Sequence, residues 1–326
     1  MTQPGSDLEP RRIELYRPQN QLGDLLLNVP AIRALRDRYP SSHITLVVGP
    51  QNAPAVLGQG WVDRVRVVAT KGVGALVGAF TRSGARADLA IYFTTVSYSK
   101  SGAWLLRSSG ATRRLGFDAS RYGERDRARL TEVVPYPDGE PHQSEVSLAL
   151  ARAAGAGAAV PPPPYYVPDA ALVERAPAGH VYLHPGAGKV KNRWPAERFA
   201  EVARALLARG CEISWLEGPQ DEGCVDRASS ALGRSLPVVR GETIPMLAAR
   251  FARAALYIGN DTGPLHLAGA TGCPTVGIYG WSNPAEWAPV GRCVRTVRAA
   301  DASLGSIPPE QVLEVAMPLL EEPAIC

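Results

Sequence analysis

The chain has 326 residues, enough for two domains that each bury a core of their own. Hydrophobic residues make up 45% and charged residues 20%, which excludes a disordered tail or a collagenous repeat, and a net charge of +4 is too small for a protein that coats nucleic acid. The 32 Gly and 29 Pro call for frequent turns or a linker.

Charge is unevenly spread. Residues 1–160 carry 20 basic and 14 acidic side chains, residues 161–326 carry 15 and 17. Arginines supply much of the first half's excess between Arg107 and Arg129, and forked guanidinium groups suit phosphate or carboxylate partners. An exposed Arg-rich loop accounts for them equally well. The five cysteines form no CxxC pair, which points to a reducing compartment and to no zinc site. Met1–Pro10 is polar and no apolar run approaches ~18 residues, so the expected location is cytoplasmic, with at most peripheral contact at the inner membrane face.

From Ile13 onward, short apolar runs alternate with helical periodicity. Ile13–Tyr16 reads as a strand, Asp24–Arg38 as a helix with apolar Leu25, Leu26, Val29, Ile32 and Leu35, and His43–Val48 as the next strand. A strand-helix-strand unit of this length makes a parallel sheet. Val62–Val68 and Asp88–Phe93 continue as strands, with helices expected near 72–82, 99–109 and 142–154. The alternation stops where Ala153–Val160 runs into Pro161–Pro164, a stretch that joins neither a helix nor a central strand. The expected division is therefore 1–155, a linker over 156–178, and 179–326. Alternation then resumes: strands Val181–His184, Glu212–Leu216, Leu256–Gly259 and Pro274–Tyr279, and helices Pro195–Arg209, 219–231 and 263–271. A last helix over Pro308–Leu320 could pack back on the first domain. Two such α/β domains would face each other across a cleft, with ligands at the C-terminal ends of their strands.

No GxGxxG follows the first strand, which weighs against a dinucleotide dehydrogenase, and Gly186-Ala187-Gly188-Lys189-Val190 lacks the first Gly and the Ser or Thr of a Walker A loop. Three strand-to-helix turns carry the chemistry. In the first, Gly23 permits a tight turn and Asp24 sits in the first helical turn; helix capping alone would explain an acid there. The second, His184-Pro-Gly-Ala-Gly-Lys-Val-Lys-Asn-Arg-Trp-Pro195, gathers Lys189, Lys191 and Arg193 in a glycine-rich loop before a helix, an arrangement suited to phosphate. The third, Gly259-Asn-Asp-Thr-Gly-Pro-Leu-His266, crowds polar groups at a helix start. There Thr262, Gly263 and nearby amides could hold phosphate and Asp261 could accept sugar hydroxyls, while His266 alone would pass for a half-buried core imidazole.

In this order, Gly23-Asp24 with Pro30-Ala31-Ile32-Arg33-Ala34-Leu35, His184-Pro-Gly-Ala with Arg193-Trp194-Pro195, Glu217-Gly-Pro-Gln-Asp-Glu222, and Gly259–Ala268 resemble glycosyltransferase family 9, the ADP-heptose:lipopolysaccharide heptosyltransferases and their relatives, over nearly the whole chain. The resemblance implies a GT-B fold of two Rossmann-like domains. The C-terminal domain would bind a nucleotide sugar, ADP-heptose as co-substrate, and the N-terminal one an anionic glycan or glycolipid acceptor such as lipopolysaccharide core. Neither nucleic acid, cofactor nor metal is implied. Asp24 would be the general base of an inverting transfer. Lys189, Lys191, Arg193, Thr262, Gly263 and His266 would hold the donor phosphates, Asp261 the donor sugar and Glu222 the ribose. One departure is Asn192, where members of the family often carry Lys. A sugar-nucleotide epimerase or hydrolase of the same fold, or a noncatalytic nucleotide-sugar-binding module, are the competing readings.

Overall fold

A computed structural model describes residues 9–69, 86–160 and 162–321. They form two units. One comprises residues 1–21 and 28–161, the other residues 22–27 and 162–326. The helix expected near 72–82 lies outside the described residues.

In the first unit the order is β1 (Arg12–Arg17), α1 (Leu22–Arg38), β2 (His43–Val48), α2 (Ala53–Val56), β3 (Arg64–Val67), β4 (Leu89–Tyr92), α3 (Lys100–Ser108), β5 (Arg113–Phe117), β6 (Glu132–Val134) and α4 (Gln143–Ala153). The strands lie as β3-β2-β1-β4-β5-β6, every pairing parallel. Because crossover helices cover such a sheet, its central strands are apolar throughout: β4 is buried at all positions and β2 at all but His43. The first turn of α1, residues 22–27, groups with the second unit.

In the second unit, α5 (Ala170–Arg175), β7 (Val181–His184), α6 (Ala196–Leu207), β8 (Ile213–Glu217), α7 (Cys224–Leu232), β9 (Val238–Arg240), α8 (Ile244–Phe251), β10 (Leu256–Asn260), α9 (Gly263–Thr271), β11 (Thr275–Tyr279), α10 (Pro284–Trp287), β12 (Val294–Arg298) and α11 (Pro309–Glu321) follow. The sheet β9-β8-β7-β10-β11-β12 is again parallel and repeats the first unit's strand order. Phe199, Val202 and Leu206 of α6 pack against β7, β8 and β10 through Leu183, Trp215 and Ile258. Val312, Ala316 and Leu319 of α11 enter the same core.

Both sheets reverse direction of winding at one place, between β1 and β4 and between β7 and β10. Open α/β sheets leave a crevice there at the carboxyl ends of the strands. In the second unit, Gly259 lies beside His184 in register at that point, so the second and third motif turns emerge side by side.

Among the thiols, Cys211, Cys224 and Cys273 are free, and burial pushes Cys273 up to about 12. No helix among the described residues is long and apolar enough to cross a membrane.

Candidate active site

At the end of β7, His184 is buried and fully engaged. Its Nε2 lies 2.9 Å from Asp221 Oδ2 and its Nδ1 3.0 Å from the Tyr257 hydroxyl. Burial holds the Tyr257 phenol far above its usual range, so it stays protonated and donates to Nδ1. Nε2–H then donates to Asp221, whose carboxylate also accepts from the Gly218 N–H. Burial alone would raise the Asp221 carboxyl. The hydrogen bond from His184, the Gly218 amide and the charge of Arg193 together outweigh it and hold the group below its ordinary value. Gly186 is obligatory at this spot, because a Cβ there would run into the Asp221 carboxylate.

The loop that follows is held from two sides. Asn260, buried at the end of β10, accepts from the Trp194 N–H at 3.0 Å and donates to the carbonyls of Pro185 and Gly186 at 3.1 Å each. Arg193 donates through Nε to the Ala187 carbonyl at 2.8 Å and through Nη2 to the Gln220 carbonyl at 2.7 Å. Its guanidinium therefore closes the loop against the turn after β8. Lys189 and Lys191 are exposed, with Lys191 Nζ 3.5 Å from the centroid of the Trp281 ring.

The third turn leads into α9, whose N-cap Thr262 makes no side-chain capping bond and whose first turn contains Pro264. Uncapped amides at a helix start, next to two lysines, can take an anion. Thr262 Oγ1 lies 3.2 Å from the Asn260 carbonyl and 3.4 Å from His184 Nδ1. His266 is buried, with Nε2 3.7 Å from Asp261 Oδ1.

Residues 22–27 bring Asp24 into this unit. Asp24 is half-buried in the first turn of α1. The adjoining Gly23 packs on the His266 ring: a Cβ there would lie 2.6 Å from Cδ2 and 3.0 Å from Nε2. Leu22 similarly approaches Gly263, with its Cβ 3.2 Å from where a side chain would begin. Gly23→Ala is therefore expected to displace a buried imidazole and cost about 1–3 kcal/mol, read as a lowered melting temperature.

Beside the phosphate-suited loops, Leu216, Glu217, Gly218, Val239, Leu247 and Pro264 line much of a cavity of about 460 Å³. Its walls are apolar, and its lining carboxylates are committed: Glu217 pairs with Arg240 at 2.9 Å and Glu242 with Arg250 at 2.5 Å. Glu217 belongs to a motif already singled out in the sequence, whereas Leu247 lies within an apolar helix and carries no signal of its own. Glu222 is exposed and precedes α7 instead of lying in its first turn. The expected start near 219 fails because Asp221 is drawn inward onto His184. The turn around it closes through Glu222 and Gly223, both at positive φ (30° and 69°), and such a backbone is uncommon for a non-glycine residue.

In the first unit, the arginine run is not one free patch. Arg113 is bidentate on Glu132 at 2.7 and 3.0 Å, and Arg114 is bonded to the carbonyls of Ala111 and Arg129. Arg121 stacks on Tyr136, its guanidinium carbon 3.5 Å from the ring centroid. Arg107 lies over the exposed Trp104 ring at 4.9 Å.

Lipopolysaccharide heptosyltransferase 3 of Escherichia coli is 24% identical over 299 residues, covering 82% of this chain and 83% of that protein. A family 9 glycosyl transferase from Veillonella parvula superposes with a TM-score of 0.84 at 23% identity, over 96% of this chain and 97% of that one. An E. coli heptosyltransferase solved with ADP-2-deoxy-2-fluoro heptose gives 0.75 at 19% identity, over 93% and 98%. At these identities the structural likeness is one of fold, the pair of Rossmann-like units of GT-B proteins. The pattern of glycosyltransferase family 9 (heptosyltransferase) itself matches residues 83–306, which takes in the cationic loop, the His184–Asp221 pair and the start of α9, and the chain is a member of that family.

Proposed function

We propose that the protein is an inverting glycosyltransferase that moves heptose from ADP-heptose to a hydroxyl of an anionic glycan such as lipopolysaccharide core. The observation that carries this reading is the convergence, at the switch point of the second sheet, of an uncapped helix start, two exposed lysines and an apolar cavity large enough for a nucleobase. An E. coli protein of the same fold is solved with an ADP-sugar analogue.

The adenine would enter the cavity between Leu216, Val239 and Leu247. By its likeness to the family motif, exposed Glu222 would accept the ribose hydroxyls. The diphosphate would sit over the amides of Thr262 and Gly263 with Lys189 and Lys191 beside it. Arg193 would serve by fixing the loop, and Asp261 with His266 would face the sugar. Asp24 would take the proton of the acceptor hydroxyl as its oxygen attacks the anomeric carbon, and the bond to the diphosphate oxygen breaks with ADP leaving. The negative charge on that leaving group is stabilised by cations and amides fixed before reaction. The acceptor's anionic groups fall to the first unit, where Arg121 on Tyr136 is one available guanidinium.

The test is product analysis with ADP-heptose, with and without a heptose-deficient lipopolysaccharide acceptor. ADP and a lengthened glycan are expected only when both substrates are present. Conversion of the donor alone would instead mark an epimerase or hydrolase. A melting-temperature rise with ADP, absent with UDP or GDP, is expected to accompany it.

A further inference from the structure

Trp281 follows β11 and is 47% exposed, unusual for a side chain that holds two polar partners. Its indole N–H donates to Asn192 Oδ1 at 2.7 Å, while Asn192 Nδ2 donates to the Asp261 carbonyl at 3.3 Å. Its ring face carries the Lys191 ammonium at 3.5 Å from the centroid, with Lys189 at 5.9 Å. One aromatic residue thus joins the loops after β7, β10 and β11, and it does so through Asn192, the position at which the sequence departs from the lysine common in the family.

This arrangement has a physical use. Lysine is a flexible point charge, and a lysine in a glycine-rich loop loses rotamer freedom when it engages an anion. A cation resting on an exposed ring face is only weakly held, so it can be placed in advance without being trapped. A short side chain at 192 that bridges Trp281 and Asp261 keeps the loop at fixed reach.

We infer that Trp281 is a positioning residue for the donor diphosphate: its ring seats Lys191 and its N–H latches Asn192, so that the ammonium meets the phosphate already placed. The inference rests on the proposed binding of a nucleoside diphosphate at this loop. It sets Trp281 apart from a platform that stacks directly on the ligand, since a platform would act whether or not Lys191 is present.

The test is a double-mutant cycle on ADP affinity, measured by titration calorimetry on the full chain. Lys191→Ala is expected to weaken ADP roughly tenfold, the loss of one charge-assisted contact. Trp281→Ala should weaken it about three- to fivefold in the wild-type background and leave it unchanged in the Lys191→Ala background. Trp281→Phe, which keeps a ring face and loses the N–H, should recover part of the affinity, the shortfall being the share of the Asn192 latch. Equal losses from Trp281→Ala in both backgrounds would overturn the inference in favour of direct stacking. A Trp281→Phe variant that melts like wild type yet binds as poorly as Trp281→Ala would overturn the seat. Failure of the wild-type chain to bind ADP at all would instead remove the diphosphate reading beneath it.

Discussion

Replacing Asp24 by Asn is expected to lower kcat by about 10²- to 10⁴-fold, the usual weight of a positioned general base, while the dissociation constant for ADP stays near wild type. The split separates two roles that an acid in the first turn of α1 can play. As a charge at a helix start, Asp24 would stabilise the fold by about 0.3–1 kcal/mol and contribute nothing to turnover. Asn is nearly isosteric and still accepts a hydrogen bond, so it removes the proton-accepting charge with little change in shape. Rates of ADP release at saturating donor, set beside calorimetric ADP binding and a melting curve, decide between them. An Asn variant with full turnover and a slightly lowered melting temperature would leave Asp24 as helix-end electrostatics only. The proposed chemical role rests on the neighbourhood. Gly23 is pressed on the His266 ring, and residues 22–27 group with the unit that carries the phosphate-suited loops.

How much of this was legible in the sequence follows from where pattern is strong. β2, β7 and α9 coincide with their expected bounds, because each reads as a largely apolar, largely buried run. β5 was not anticipated: it opens on Arg113 and Arg114 and carries Gly116, so its charges mask a strand whose last three residues are buried. β6 and β9, three residues each at sheet edges, are too short to show alternation. The motif turns were found, yet composition could not divide their labour. Lys189, Lys191 and Arg193 look alike as a run of cations, and only their contacts show Arg193 spent on two carbonyls and Lys191 resting on an indole. His184 and Asp221 lie 37 residues apart, and nothing in the sequence announces that they meet.

Removing that meeting is the second large effect. Asp221→Ala is expected to cost about 3 kcal/mol, because it strands a buried imidazole N–H and the Gly218 amide together. For a unit of this size that corresponds to a melting temperature lower by roughly 6–12 °C. Gly186→Ala should approach the same loss, since its Cβ must push the Asp221 carboxylate off His184. The ionic share of the effect can be read from pH. The Asp221 carboxyl is held below its ordinary value in the folded chain, so the unfolded chain takes up its proton first as pH falls. The stability it contributes is therefore fully present above the ordinary carboxylate range near pH 4 and is lost as pH drops through the folded value. Asp63, Asp118 and Asp301 are also held low and destabilise the protein in the same window, so wild type alone cannot isolate Asp221. The difference between wild type and Asp221→Asn can, because the other three are common to both. That difference in melting temperature is expected to be constant from pH 7 to about 5 and to shrink below pH 4. A difference that holds its size down to pH 3 would mean that the shape of the side chain, and not its charge, is what His184 requires.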